Sequence, residues 1–305
     1  MLRDPWAVTG ACIVAAFVAL ALLAPVITSL NGQDPYRYDL AALNESGQPL
    51  GVAGGVSWTH WFGVEPLTGR DLFAILAYGA RTAILVGVGA SIAAVAVGCL
   101  VGLASGYLGG WIDHLLGRII DLLLSFPSLI FMIALTALVA PSFPKPLLIA
   151  VLIGFFGWPV VARVVRGQVL SLKSRDFVTA AQVIGAPASH VLLHLLLPNV
   201  RGTLIVYATI LIPASIATEA ALSFLGVGVP PPTPSWGRSI GDALGWFSTD
   251  PAYLAIAGGA LFLLILGFTM LGDGVRSALD PTVSRTPNVR PGTAASEVKR
   301  SDPGR

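Results

Sequence analysis

Charge is scarce in this chain of 305 residues: Asp, Glu, Lys and Arg make up 11% of it, less than half of the roughly 25% found in soluble domains. That scarcity argues against a water-soluble fold. The net charge of +2 is too small for the basic surface of a nucleic-acid binder. Cysteine occurs only as Cys12 and Cys99, both inside apolar runs, so a disulfide framework or cysteine metal site is not expected. No Gly-Lys dipeptide occurs, so the chain has no GxxxxGK[ST] phosphate loop and cannot hydrolyse ATP by that route. There is no HExxH, and the nearest approach to a GxSG nucleophile loop, Gly102 to Gly106, has the wrong spacing. His190 and His194 stand at i, i+4 with no third ligand beside them, and read as polar positions on an amphipathic helix.

What is present is long apolar sequence. Hydrophobic residues make up 55% of the chain, and mean hydropathy is +0.79. Six segments, near 7–27, 82–108, 115–139, 146–165, 202–225 and 252–271, approach or exceed the roughly 20 apolar residues that span a bilayer. They must be helices, because backbone groups find no water partners in hydrocarbon. The fold class is therefore all-α integral membrane. The first run is longer than a signal-peptide core and no cleavage pattern precedes Asn31, so it reads as a retained helix. With the N-terminus inside, 13 of the 18 Lys and Arg fall on the cytoplasmic side, which places both termini in the cytoplasm. Residues 31–80 and 226–250 are then external loops and 166–201 a cytoplasmic loop. The tail, 282–305, is polar and expected to be disordered. No internal repeat is visible.

The 166–201 segment is too long for a simple connection. Asp176 opens a helical pattern through Thr179, Ala180 and Ala181, and Gly185 with Pro187 breaks it. His190 to Leu197 forms a second short helix, closed by Pro198-Asn199. Such a hairpin can dock in a partner's groove or lie on the membrane surface, and the residues alone do not choose. Gly98, Gly102 and Gly106 share one helix face, as in close helix packing or a moving interface. Arg118 and Asp121 are i, i+3 neighbours suited to a local ion pair or to contact with the cytoplasmic loop. Glu219 is a costly carboxylate inside a span. It is expected to pair with Arg70, Arg81 or Arg238 at an outer gate or pathway wall, or to touch substrate. Trp236 and Trp246 are expected to anchor at the membrane interface or to meet a binding protein.

Thr179-Ala180-Ala181, Gly185 and Leu197-Pro198 resemble the EAA loop of bacterial ABC importer permeases, with Thr179 where Glu is usual and His194-Leu195 at the usual basic residue and His. The runs His60-Trp61-Phe62-Gly63, Thr68-Gly69-Arg70-Asp71, Tyr78-Gly79-Ala80-Arg81, Gly106-Tyr107 with Gly109-Gly110, Phe126-Pro127, Glu219 to Gly226, Pro232 to Gly237 and Leu279-Asp280-Pro281 extend the likeness from about Trp6 to Pro281. Together they resemble the second, C-type permease of the dipeptide/oligopeptide/nickel family. The resemblance implies a non-catalytic subunit of the bacterial inner membrane that forms half of a translocation pathway, most often for peptides. The loop would be the coupling helix seated in the ATPase subunit. The implied partners are a second homologous permease, two ATPase domains that bind ATP and Mg, and an external solute-binding protein. Nickel, haem or another small solute is the alternative cargo. A stand-alone channel or ion-coupled carrier is the alternative class. Few charges lie within the spans, and no inverted pair of interrupted helices is visible.

Overall fold

The computed structural model describes residues 5–30, 32–51, 53–140 and 142–279. The expected disordered tail, 282–305, lies outside them. The elements are α1 (Pro5–Leu30), α2 (Leu72–Leu108), α3 (Gly110–Ser125), α4 (Ser128–Leu138), α5 (Lys145–Lys173), α6 (Asp176–Val183), α7 (Ala188–His190), α8 (Leu197–Phe224), α9 (Trp236–Ala243) and α10 (Pro251–Leu279). Among the described residues, extended pairing is limited to two isolated bridges. Five helices are long and apolar enough to cross a bilayer, and α3 with α4, bent by 85°, supplies a sixth crossing if the pair is one span.

The helices differ from the expected spans in physically legible ways. Instead of starting at Thr82, α2 starts at Leu72, because the Asp71 carboxylate caps it by accepting from the Ala74 amide at 2.7 Å. Its 37 residues reach about 55 Å, well beyond the hydrocarbon core of about 30 Å. Likewise, α5 continues from the expected end near Val165 to Lys173. The expected single helix at 115–139 is instead α3 and α4. Pro127 lacks an amide hydrogen and holds Phe126 extended, at φ −81° and ψ 140°, a conformation that ends the helix. The hairpin's second helix was expected to close at Pro198-Asn199, but the chain runs helically from Ala188 to Phe224. A π turn over Val191–Leu196 precedes Pro198, and the Leu197 amide donates to the Leu192 carbonyl five residues back. The wider turn tolerates a ring that would break a regular helix.

Close packing centres on α2 and α5. A Cβ on Gly98 would lie 2.5 Å from the Val161 Cβ, one on Gly102 would lie 2.7 Å from the Ala162 carbonyl and Val165 Cβ, and one on Gly106 would lie 2.8 Å from the Val169 Cβ. The glycine stripe thus meets a valine stripe at four-residue intervals, so that dispersion contacts hold the pair together where lipid provides no hydrophobic drive. Gly102→Leu is expected to destabilise this seam by at least about 1–3 kcal/mol. It would lower the thermal midpoint and the monodisperse yield of the purified subunit. Gly258→Ala, where nothing lies within 4 Å, should leave both at wild-type values. A similar small-residue seam joins α1 to α10: Gly10 packs on Leu271 and Gly267, and Gly274 packs on Ala7.

Candidate functional site

The hairpin between α5 and α8 follows α5 directly. Within α6, the Thr179 hydroxyl donates to the Arg175 carbonyl at 3.2 Å, so the residue at the family's Glu position spends its hydrogen bond inside the helix. Gly185 adopts φ +82°, the left-handed conformation that terminates helices. Its amide donates to Gln182 at 3.0 Å and that of Ala186 to Ala181 at 2.9 Å, closing the turn. The His190 and His194 rings stack at 4.7 Å, so they do share a face. Asp176, Thr179 and Ala180 are exposed, Ala181 is half-buried, and Pro198 is exposed.

The two faces of this hairpin have opposite character. Val178, Val191, Leu196 and Val200 are fully buried, in one cluster with Cys99, Leu103, Val161, Val165 and Val169. That cluster welds the hairpin to the C-terminal halves of α2 and α5. At the tip, Val183 and Ile184 are 81% and 83% exposed. Two adjacent aliphatic side chains are thus left bare on a turn held by a glycine.

At the other end, the pathway candidates do not converge as expected. Glu219 is 1% exposed and, among the described residues, pairs with no arginine. Its Oε1 accepts from Ser223 Oγ at 2.7 Å and Ser235 Oγ at 2.9 Å, while Ser223 Oγ accepts from the Val229 amide at 3.0 Å. The carboxylate therefore pins the 226–235 loop onto α8 by hydroxyl donors, which a span interior supplies more cheaply than a second charge. Arg81 instead lies over the Tyr78 ring at 5.6 Å. Arg238 pairs with Asp242, one turn on, at 3.4 Å. Glu219→Gln keeps the accepting oxygen and should shift the thermal midpoint little. Glu219→Leu strands two buried hydroxyls and should cost about 1–3 kcal/mol, read as a lower midpoint.

Arg70 belongs to a different network. Its Nε donates to Glu65 Oε2 at 2.7 Å, its Nη2 to Glu65 Oε1 at 3.1 Å and its Nη1 to the Pro232 carbonyl at 3.1 Å. Tyr253 Oη donates to Glu65 Oε1 at 2.7 Å, and Thr68 Oγ1 to Oε2. Beside it, His60 Nδ1 meets Asp71 Oδ2 at 3.0 Å. Burial pushes the Asp71 carboxyl above its ordinary value, against the opposing pull of the Ala74 amide and His60. The expected interfacial role of Trp236 is corrected too: it is buried, it donates from Nε1 to the Leu76 carbonyl at 3.1 Å, and it fills the space left by Gly79. Trp246 is half-buried beside Arg70 and Tyr253. Together these contacts lock the loop between α1 and α2, the start of α2, the 230 loop and the start of α10 into one cap. Glu65 and Tyr253 carry that lock, yet no sequence pattern pointed to either. Glu65 sits in a loop without periodicity, and Tyr253 is 188 residues away.

Along α3, the expected Arg118–Asp121 pair is replaced. Asp121 binds Arg163 at 2.5 Å, and Asp113 takes Arg166 Nη2 at 2.7 Å and the Ser105 hydroxyl. The i, i+3 spacing brings Arg118 near Asp121, but arginines projecting from α5 reach both aspartates across the helix pair.

Known proteins share this arrangement of sequence. Residues 94–285 match the family described as the binding-protein-dependent transport system inner membrane component. Residues 1–45 match the N-terminal TM domain of oligopeptide transport permease C. The chain is 36% identical over 279 residues to the dipeptide transport system permease protein DppC of Alkalihalophilus pseudofirmus, covering 92% of this chain and 86% of that one. It is 37% identical over 279 residues, with the same coverage, to the oligopeptide transport system permease protein OppC of Bacillus subtilis. Against the glutathione transport system permease protein GsiD of Escherichia coli it is 37% identical over 281 residues, covering 92% and 88%. Similarity over nearly the whole of both chains, from the first helix through the hairpin to the last span, is that of full-length relatives: this chain belongs to the family of binding-protein-dependent transport system inner membrane components.

Proposed function

We propose that the chain is one permease subunit of an ATP-driven importer of short peptides in the bacterial inner membrane, with both termini in the cytoplasm. The observation that carries this reading is the two-faced hairpin, welded inward through Val178 and Val191 and bare outward at Val183 and Ile184. The substrate class rests on relatives named for dipeptide, oligopeptide and glutathione transport. The chain forms half of the pathway beside a second homologous permease. Two ATPase domains bind ATP and Mg in their own chains, and an external solute-binding protein delivers the peptide. This chain performs no bond chemistry. Closure of the ATPases displaces the hairpin, and the buried valine weld transmits that displacement to α2 and α5 as a rigid shift. The shift changes the side to which the pathway opens.

The test is gentle extraction of the tagged subunit from native membranes, with identification of what co-purifies and uptake of a labelled dipeptide in the same strain. Co-purification of an ATPase and a second permease, with uptake lost on deletion, is expected. A subunit that purifies alone and conducts without ATP would overturn the reading in favour of a channel or ion-coupled carrier.

A further inference from the structure

A polar cavity of about 260 Å³ lies where α3 meets α5, lined by Asp113, His114, Arg118, Asp121, Arg163 and Arg166. Its charges do not cancel. Asp113 is taken up by Arg166 and Asp121 by Arg163, which leaves Arg118 as the cation without an ion pair among the described residues. Arg118 and His114 are exposed, and the Arg163 side chain is half open to solvent. The basic edge does not stand alone. Trp111, Leu115, Ile119 and Leu122 are all exposed, and at 100° per residue they fall within an arc of about 80° on α3. On the same wheel, Arg118 borders that arc directly, with His114 about 40° beyond Arg118. An exposed apolar stripe flanked by an uncompensated guanidinium suits an amphipathic ligand with an anionic end.

We propose that this cavity binds the headgroup phosphate of an anionic phospholipid, with the acyl chains lying along Trp111, Leu115, Ile119 and Leu122. Charge complementarity chooses the occupant: a neutral protein helix would cover the stripe but leave Arg118 unmet, whereas a phosphate diester meets both. The segments on this side, outside the tail, carry eight of the chain's Arg and Lys against five on the other, the bias expected on the cytoplasmic face, where anionic lipid recruits basic pockets between helices. The inference needs only that the chain spans a bilayer, and does not depend on peptides being the cargo.

The test is native mass spectrometry of the purified complex titrated with phosphatidylglycerol or phosphatidylcholine. Phosphatidylglycerol is expected to remain bound where phosphatidylcholine is stripped, and Arg118→Gln to weaken retention about fivefold. Arg118→Lys should restore most of it. Inorganic phosphate should not displace the lipid. Equal retention of the two lipids, unchanged retention in Arg118→Gln, or displacement by inorganic phosphate would each overturn the proposal. If Arg118→Gln fails to assemble, the wild-type complex decides through a photoreactive phosphatidylglycerol. Labelling of the Gly110–Ser125 peptide supports the site, and labelling confined to other segments, or to another subunit seated on α3, refutes it.

Discussion

Replacing Ile184 with Asp is expected to abolish ATPase docking and peptide uptake while leaving the subunit folded and inserted. Ile184 is 83% exposed and Val183 81%, so neither supports the fold, and surface substitutions of this kind change stability by about 0.5 kcal/mol or less. In a docked complex the same side chain sits at the tip of the element, where buried anchors carry about 2–4 kcal/mol of binding energy. That loss lowers affinity on the order of 30-fold to 1,000-fold, and burying a new carboxylate adds a desolvation cost. Expression and gel-filtration profile should match wild type, while the co-purified ATPase and dipeptide uptake fall to background. Val178→Asp is the contrasting variant. It puts a charge into the fully buried weld and should lose the folded subunit itself. If Ile184→Asp retains the ATPase and uptake, the tip is not the docking surface.

Arg70→Met should lower the stability of the folded subunit sharply. The Arg70 and Glu65 side chains are 7% and 4% exposed, and the guanidinium satisfies both carboxylate oxygens and the Pro232 carbonyl. Removing Arg70 leaves the Glu65 charge buried without a counter-charge, held only by the Tyr253 and Thr68 hydroxyls, at a cost of about 3–5 kcal/mol. The cap loses its link to the 230 loop at the same stroke. A sharply lower thermal midpoint of the purified subunit is the expected result. The Glu65→Gln/Arg70→Met double variant should recover part of that loss, because no unpaired charge remains. A single variant as stable as wild type would show that water already reaches the pair.

The hydrophobic runs made the membrane class and the rough places of the spans legible, because lipid imposes one requirement on every residue of a span. Where the structure departed from that reading, a local cap, proline or backbone turn overruled hydropathy. Asp71 caps α2 ten residues early, Pro127 divides α3 from α4, and the π turn lets α8 run through Pro198. Phe126-Pro127 was visible in the sequence, but its consequence, a bend of 85°, depends on how α4 packs. The site was legible in one dimension only. The hairpin's turn at Gly185 follows from local chemistry, and its relation to the permease family from spacing. Which of its aliphatic residues face inward does not, because Val178 and Val183 look alike until Val161, Val165 and Val169 are packed against one of them. Partners of charged residues were the least legible. Glu219 was expected to need an arginine and is met by Ser223 and Ser235, while Arg70 is held by Glu65 from a segment with no periodic signal.

The most direct measurement places a photocrosslinking benzoylphenylalanine at position 184 and irradiates native membranes with and without ATP. An adduct between this subunit and an ATPase chain is expected, with its yield changed by nucleotide. An adduct only with lipid, or with another membrane subunit, would contradict the assignment of the hairpin as the element through which ATP hydrolysis reaches the pathway.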